Sequence, residues 1–271
     1  YVTITSSYNL GTLASERTAT GMVNYFANST MDTCFNSGKL ESRFGRGLVN
    51  LMDTYGGESL VTRCFNSGTG SQIGLVGGIE AGRNTGAVQD CYNTGVSEAT
   101  PFYAGLIPYA FTNTDGTNLS RNYVAAKVDD GTGSPFVLYP NDRLVIDSCY
   151  YDQTLLYNQT EQGGLTTMQM TGLNALDNMP GLNGNNAFEA SEADYPELKV
   201  FKYSDNPVMR EQSKKSVRAQ ETATSDIAEE YIPVTGLFLN LSYHTIPVGR
   251  NYQLSAFVVP TNATNKTVHW S

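Results

Sequence analysis

The side chains able to do chemistry here are few, and most of them recur at one repeat position. Asp90, Arg63 and Arg121 each stand just before a Cys or Asn of a recurring word, so stacking would set a carboxylate between two guanidinium groups. A β-solenoid polysaccharide lyase or hydrolase would use clustered carboxylates, or calcium with a basic residue, and this trio is the candidate, with Asp90 required for activity. Carboxylate spacing of glycosidase type cannot be read from sequence, and a surface ion-pair ladder is the favoured reading. The only imidazoles are His244 and His269, both near the C-terminus, so the repeat region offers none for acid–base work or zinc. No His-Glu-x-x-His, Gly-x-Ser-x-Gly or phosphate-cradling loop occurs, and the glycines of 74–78 belong to the repeat. The loop Asp129-Asp130-Gly131-Thr132-Gly133 is a candidate for structural calcium, but it lacks alternating carboxylates and a closing Glu. A solvated turn is favoured. No catalytic residue, metal ligand or cofactor is assigned.

The four cysteines, Cys34, Cys64, Cys91 and Cys149, lead the words Cys-Phe-Asn-Ser-Gly, Cys-Phe-Asn-Ser-Gly, Cys-Tyr-Asn-Thr-Gly and Cys-Tyr-Tyr-Asp. Related copies begin at Ser7 and Asn122, so the steps between copies are 27, 30, 27, 31 and 27 residues. A fixed period in this range marks stacked structural repeats. Equivalent residues would then lie one strand spacing apart, ~4.8 Å, with parallel side chains. Disulfides need Cβ atoms that approach each other, so the cysteines are read as a buried ladder of free thiols. Asn9, Asn36, Asn66 and Asn93 are read as a second ladder, hydrogen-bonded from coil to coil and placed at a corner where Asn tolerates left-handed backbone.

The aromatics Tyr8, Phe35, Phe65, Tyr92, Tyr123 and Tyr150 form a third column. Alternation from an inward Cys sends it outward, unless a corner breaks the parity. Outward rings would be covered by flanking segments, the favoured reading, or would form an exposed stripe suited to stacking on sugar rings. On that second reading these six residues are the binding face.

Each repeat also carries a glycine-led apolar word: Gly21-Met22-Val23, Gly47-Leu48-Val49, Gly74-Leu75-Val76 and Gly105-Leu106-Ile107. Another apolar residue precedes each anchor by three positions: Ile4, Met31, Val61, Val88, Leu119 and Ile146. One repeat therefore supplies at least two short strands separated by Gly/Asn turns. The expected architecture is all-β, a right-handed parallel β-helix of about six coils over residues 1–152. Residues 153–203 are expected to cap its open end, with Thr166 or Thr167 as a helix N-cap. The charged stretch 204–231 is expected to be a linker, with room for a short helix.

Paired with the glycine-led words, Cys-Tyr-Asn-x-Gly resembles the GLUG repeats of bacterial surface proteins, which include adhesins and non-catalytic parts of IgA-cleaving metallopeptidases. Only Gly74-Leu75-Val76-Gly77 matches the full tetrapeptide. The resemblance implies a parallel β-helix on a cell surface and brings no catalytic residues. Residues 232–271, from Val234-Thr235-Gly236-Leu237 to Val268-His269-Trp270, resemble the first half of a group 2 bacterial Ig-like domain, a β-sandwich.

A net charge of −9 argues against a nucleic-acid partner. No apolar run approaches the ~20 residues of a membrane helix. Tyr1-Val2-Thr3-Ile4-Thr5 reads as a strand in mid-repeat, so further domains of the same polypeptide are expected on both sides. The functional expectation is a non-enzymatic, extracellular adhesion or spacer segment with a host glycan or glycoprotein as partner. The runner-up is an ancillary region of a secreted peptidase or glycosidase whose catalytic domain lies elsewhere.

Overall fold

The computed structural model describes residues 1–213, apart from 72–73, 83, 98–104, 113–116, 129–132, 141, 157–158 and 160. It also describes the strands Gly236–Leu239 and Ala256–Val259, which pair antiparallel. The remainder of the Ig-like expectation, the 214–231 part of the linker, the Asp129-Asp130 loop and both histidines lie outside the described residues. By contacts the chain divides into Tyr1–Gln220 and Glu221–Ser271.

The first unit is a parallel β-solenoid of about five turns, not the expected six, because the sixth coil reaches only the first two sheets; each full turn visits four sheets. The first sheet has six strands: Val2–Thr5, Ser29–Asp32, Ser59–Thr62, Gly86–Gln89, Asn118–Ser120 and Val145–Asp147. Its register joins Ile4 to Met31, Met31 to Val61, Val61 to Val88, Val88 to Leu119 and Leu119 to Ile146. These pairings reproduce the 27, 30, 27, 31 and 27 spacing. The second sheet holds the aromatic–Asn pairs, from Tyr8–Asn9 to Tyr150–Asp152, and gains a seventh strand from Gly164–Leu165. A third sheet of two- and three-residue strands runs from Leu13–Ala14 to Lys127–Val128. The fourth contains the glycine-led words and centres on the ten-residue strand Phe44–Asp53.

Met31, Val61, Val88 and Leu119 of the first sheet are fully buried, as are Leu48, Val49, Leu75, Val76, Leu106 and Ile107 of the fourth. They form one continuous column with the cysteines. Burying each such side chain contributes about 1.5–3 kcal/mol, and no single coil could exclude water from it alone.

Between the first and second sheets the chain turns through a left-handed residue in every coil: Ser6, Thr33, Arg63, Asp90, Arg121 and Ser148, with φ between 47° and 57°. The left-handed corner therefore falls one residue before the Cys, not at the Asn, which lies in a strand. Each such non-glycine residue costs about 1–2 kcal/mol. The corners are held by coil-to-coil amide bonds such as Arg63 N to Gln89 O at 3.2 Å and Arg121 N to Asp147 O at 3.1 Å.

Residues 153–203 do more than close an end. Leu156 enters the solenoid core, and Gly164–Leu165 extends the second sheet. The chain then folds back along the side of the solenoid. Thr166 caps the helix Thr167–Met170 through a capping box with Gln169. Short helices at Ala175–Asn178, Pro180–Asn183 and Lys199–Lys202 follow, with a hairpin of Phe188–Glu189 and Glu197–Leu198. This layer lies over the aromatic column, since Gly181 N donates to the Tyr150 hydroxyl, the Tyr123 hydroxyl donates to Pro196 O, and Phe201 meets Phe35 and Phe65. Residues 207–213 are helical and place Met209 in the same cluster. The first ten residues of the expected linker thus belong to the folded unit.

Candidate functional site

The thiol ladder solves a hydrogen-bonding problem at the corner. Where the chain turns, the Cys amide loses its place in a strand ladder. Cys34 N donates to Cys64 Sγ at 3.3 Å and Cys64 N to Cys91 Sγ at 3.4 Å. Each thiol faces a carbonyl two residues back, Thr62 O at 3.0 Å for Cys64 and Gln89 O at 3.1 Å for Cys91. In the fifth coil Asn122 takes the role, accepting from Cys91 N through Oδ1 at 2.9 Å. All four cysteines are free and buried. The Cys34 thiol is pushed up by its hydrogen bond to Cys64 and by burial, Cys64 by burial, and Cys149 by burial to about 11. Thiols enclosed in this way are inert, so this column is structural.

The Asn ladder forms as expected. Asn9 Nδ2 donates to Asn36 Oδ1 (2.7 Å), Asn36 to Asn66 (2.8 Å), Asn66 to Asn93 (2.9 Å), and Asn93 to Gly105 O (2.7 Å). Each Oδ1 also accepts the amide two residues on, as in Gly95 N to Asn93 at 3.0 Å. Two of the glycine-led words make room for this ladder. A Cβ on Gly47 would lie 2.7 Å from Asn66 Cγ, and one on Gly21 2.8 Å from Asn36 Cγ. The two repeated words are thus halves of one contact.

The aromatic column stacks at 5.1, 4.8, 4.9 and 5.0 Å between ring centroids from Tyr8 to Tyr123, with interplanar angles of 15°, 2°, 2° and 7°. It points out of the solenoid core into a second apolar cluster. Phe35, Phe65, Tyr92 and Tyr123 are at most 1% exposed, and Tyr150 is half-buried. Phe201 plugs the column edge-on, 4.9 Å from Phe65 at 82°. Edge-to-face contact suits the ring quadrupoles. The exposed-stripe reading is therefore overturned for these four residues, because residues 163–209 occupy the face that a sugar would need. Tyr8, at the first coil, is 38% exposed. Burial raises the Tyr123 hydroxyl above its ordinary range.

Asp152 latches this cover. Fully buried, it accepts from Thr154 N at 2.7 Å, Thr167 Oγ1 at 2.6 Å and the Tyr195 hydroxyl at 2.6 Å. Its role was invisible in sequence, since its partners lie up to 43 residues away.

The Arg63–Asp90–Arg121 trio does not assemble. Arg121 binds Asp90 through two nitrogens, Nε–Oδ1 at 2.7 Å and Nη2–Oδ2 at 3.0 Å, whereas Arg63 turns to Asp32. Asn185 Nδ2 adds a third donor to Asp90 at 2.6 Å. With its carboxylate buried and engaged this way, Asp90 ties the folded-back layer to the solenoid. Beside it lies an open groove of about 450 Å³ lined by Arg63, Gln89, Asn185, Asn186 and Lys199 among others. A second groove, about 470 Å³, lies at the last coil between Ile146–Tyr150 and Glu161–Gly163. Among the described residues no cluster of His, Cys, Asp or Glu is placed to hold a metal, and no helix is long and apolar enough to cross a membrane.

Sequence reasoning missed a different group. Tyr25, Tyr55 and Tyr139 are each more than half exposed on the fourth sheet or the loop leaving it. They belong to no repeated word, so periodicity passed over them. No family model, curated protein or solved structure matches this chain.

Proposed function

We propose that this chain is a non-catalytic adhesion or spacer segment of a bacterial extracellular surface protein, of GLUG-repeat kind and followed by an Ig-like module. The observation that carries the reading is that every repeated residue type is spent on coil-to-coil contact. Thiols, amides, aromatics and core aliphatics all form continuous columns, and the result is a stiff solenoid whose length depends on coil number. Such a solenoid holds its lateral faces at fixed spacing and suits extended ligands, host glycans or glycoproteins among them.

Two measurements test this. Protease shaving of intact cells would release peptides from this chain, and recovery only from lysed cells would overturn the surface assignment. Beads carrying the full 271-residue chain would hold to mucin- or glycoprotein-coated surfaces under flow. Failure on every coating would remove the adhesive half and leave the spacer.

A further inference from the structure

The fourth sheet carries an outward aromatic ridge that the described residues of the solenoid leave open. In each coil its strand points inward twice, with two residues between: Val23 and Phe26, Val49 and Met52, Val76 and Ile79, Ile107 and Ala110. The intervening pairs, Asn24-Tyr25, Asn50-Leu51, Gly77-Gly78 and Pro108-Tyr109, therefore form a bend on the outside of the sheet. Register aligns Tyr25 with Leu51, Gly78 with Tyr109, and Tyr109 with Tyr139. Adjacent positions stand ~4.8 Å apart, about the size of one sugar ring.

Two of these rings lie flat. A Cβ on Gly78 would meet Tyr109 Cζ at 2.2 Å, with both Cε atoms within 2.7 Å. A Cβ on Gly82 would meet the Tyr55 ring at 2.4 Å. Each glycine lets a tyrosine lie down on the backbone, with the opposite ring face turned away from it. Tyr25 is held by its hydroxyl on Asp53. On one flank Asn50 and Asn24 are joined by a 3.0 Å bond. On the other, Asp53 and Glu80 are paired in register.

We infer that this ridge is a binding platform for a neutral polysaccharide chain lying along the solenoid axis. Flat aromatic faces stack on the C–H faces of pyranose rings, and flanking amides and carboxylates bond their hydroxyls. The paired acids on the flank and the net charge of −9 repel carboxylated or sulfated chains. The inference rests on the adhesion reading and names its surface.

The test is affinity electrophoresis of the full chain in gels containing β-1,4-glucan, mannan or galactan, with heparin as the acidic probe. At least one neutral polymer should retard the chain, and heparin should not. Tyr139→Ala should weaken retardation about tenfold, and Tyr139→Ala with Tyr25→Ala should abolish it, both with unchanged melting curves. Tyr8→Ala, exposed but off the ridge, should behave as wild type. No retardation by any neutral polymer, equal retardation of the ridge variants, or retardation by heparin alone would each overturn the platform. Bead adhesion that survives the ridge variants would retain the adhesion reading and discard this site. Polymer binding through the ridge without bead adhesion would do the reverse.

Discussion

Two sets of aromatic rings project outward from this solenoid, and they have opposite fates. The set at the period, Phe35, Phe65, Tyr92 and Tyr123, is sealed under residues 163–209. The aperiodic set, Tyr25, Tyr55 and Tyr139, stands in solvent. Repetition of a large apolar residue makes a continuous stripe, and a continuous stripe is what folding gains most by covering. Rings that recur in only some coils, with Leu51 and Gly78 at the same register position elsewhere, make no unbroken apolar stripe, and the fold can leave them bare at little cost. In a repeat protein the loudest aromatic signal in the sequence therefore marks packing, and the quieter one marks surface.

Removing the cover should break this contrast most strongly. Phe201→Ala deletes the edge-on plug over Phe35 and Phe65 and should cost about 3–5 kcal/mol. Urea unfolding measures the loss, and new binding of an apolar dye would show the column opened. An unchanged midpoint would mean that the layer does not seal the column.

Next comes the ladder beneath. Asn66→Ala strands the Asn36 donor and the Gly68 amide in a buried site, and takes from Asn93 Oδ1 one of its two donors; it should cost about 2–4 kcal/mol. Asn9→Ala, at the solvent-facing end, should cost less than half as much by the same measurement.

Alkaline titration sharpens the contrast further. Burial raises the Cys149 thiol from the ordinary 9.0 to about 11 and also raises the Tyr123 hydroxyl. Both groups are neutral when protonated, so the folded state holds protons that the unfolded chain releases. Their contribution is complete below pH 9 and falls as pH rises towards 11 and beyond. For Cys149 alone the loss over that window is about 2–3 kcal/mol. Stability curves at pH 8, 10 and 11 would show it, and Cys149→Ala should flatten the slope.

The smallest effect belongs to the open set. Tyr139→Ala should shift stability by no more than about 0.5 kcal/mol, against the several kcal/mol expected beneath the cover. A larger loss would show that the ridge is also packing.

The repeat itself was legible because identical words stack on identical words. The spacing of the anchors became the register of the first two sheets, and the thiol and Asn columns followed from it. Less was legible at the corners. Left-handed backbone falls on residues as different as Thr33, Arg63 and Asp90, because the turn is imposed by the sheets on either side and not by the residue that makes it. The third sheet was missed for a similar reason. Strands as short as Leu13–Ala14 or Thr69–Gly70 carry no alternation, and only neighbouring coils make them strands.

From the sequence alone came the period, the columns and the absence of imidazole from the repeats. All of these depend on residues that meet their own equivalents one coil away, so local words suffice to place them. Tertiary structure alone decided which columns see water. Tyr123 meets Pro196 across 73 residues, and Asp90 meets Asn185 across 95. The covering layer has no repeat of its own, so nothing in its spacing announces the face on which it will lie. Its place is set by the apolar stripe it buries and by single polar latches, Asp152 and Asp90, that hold it there.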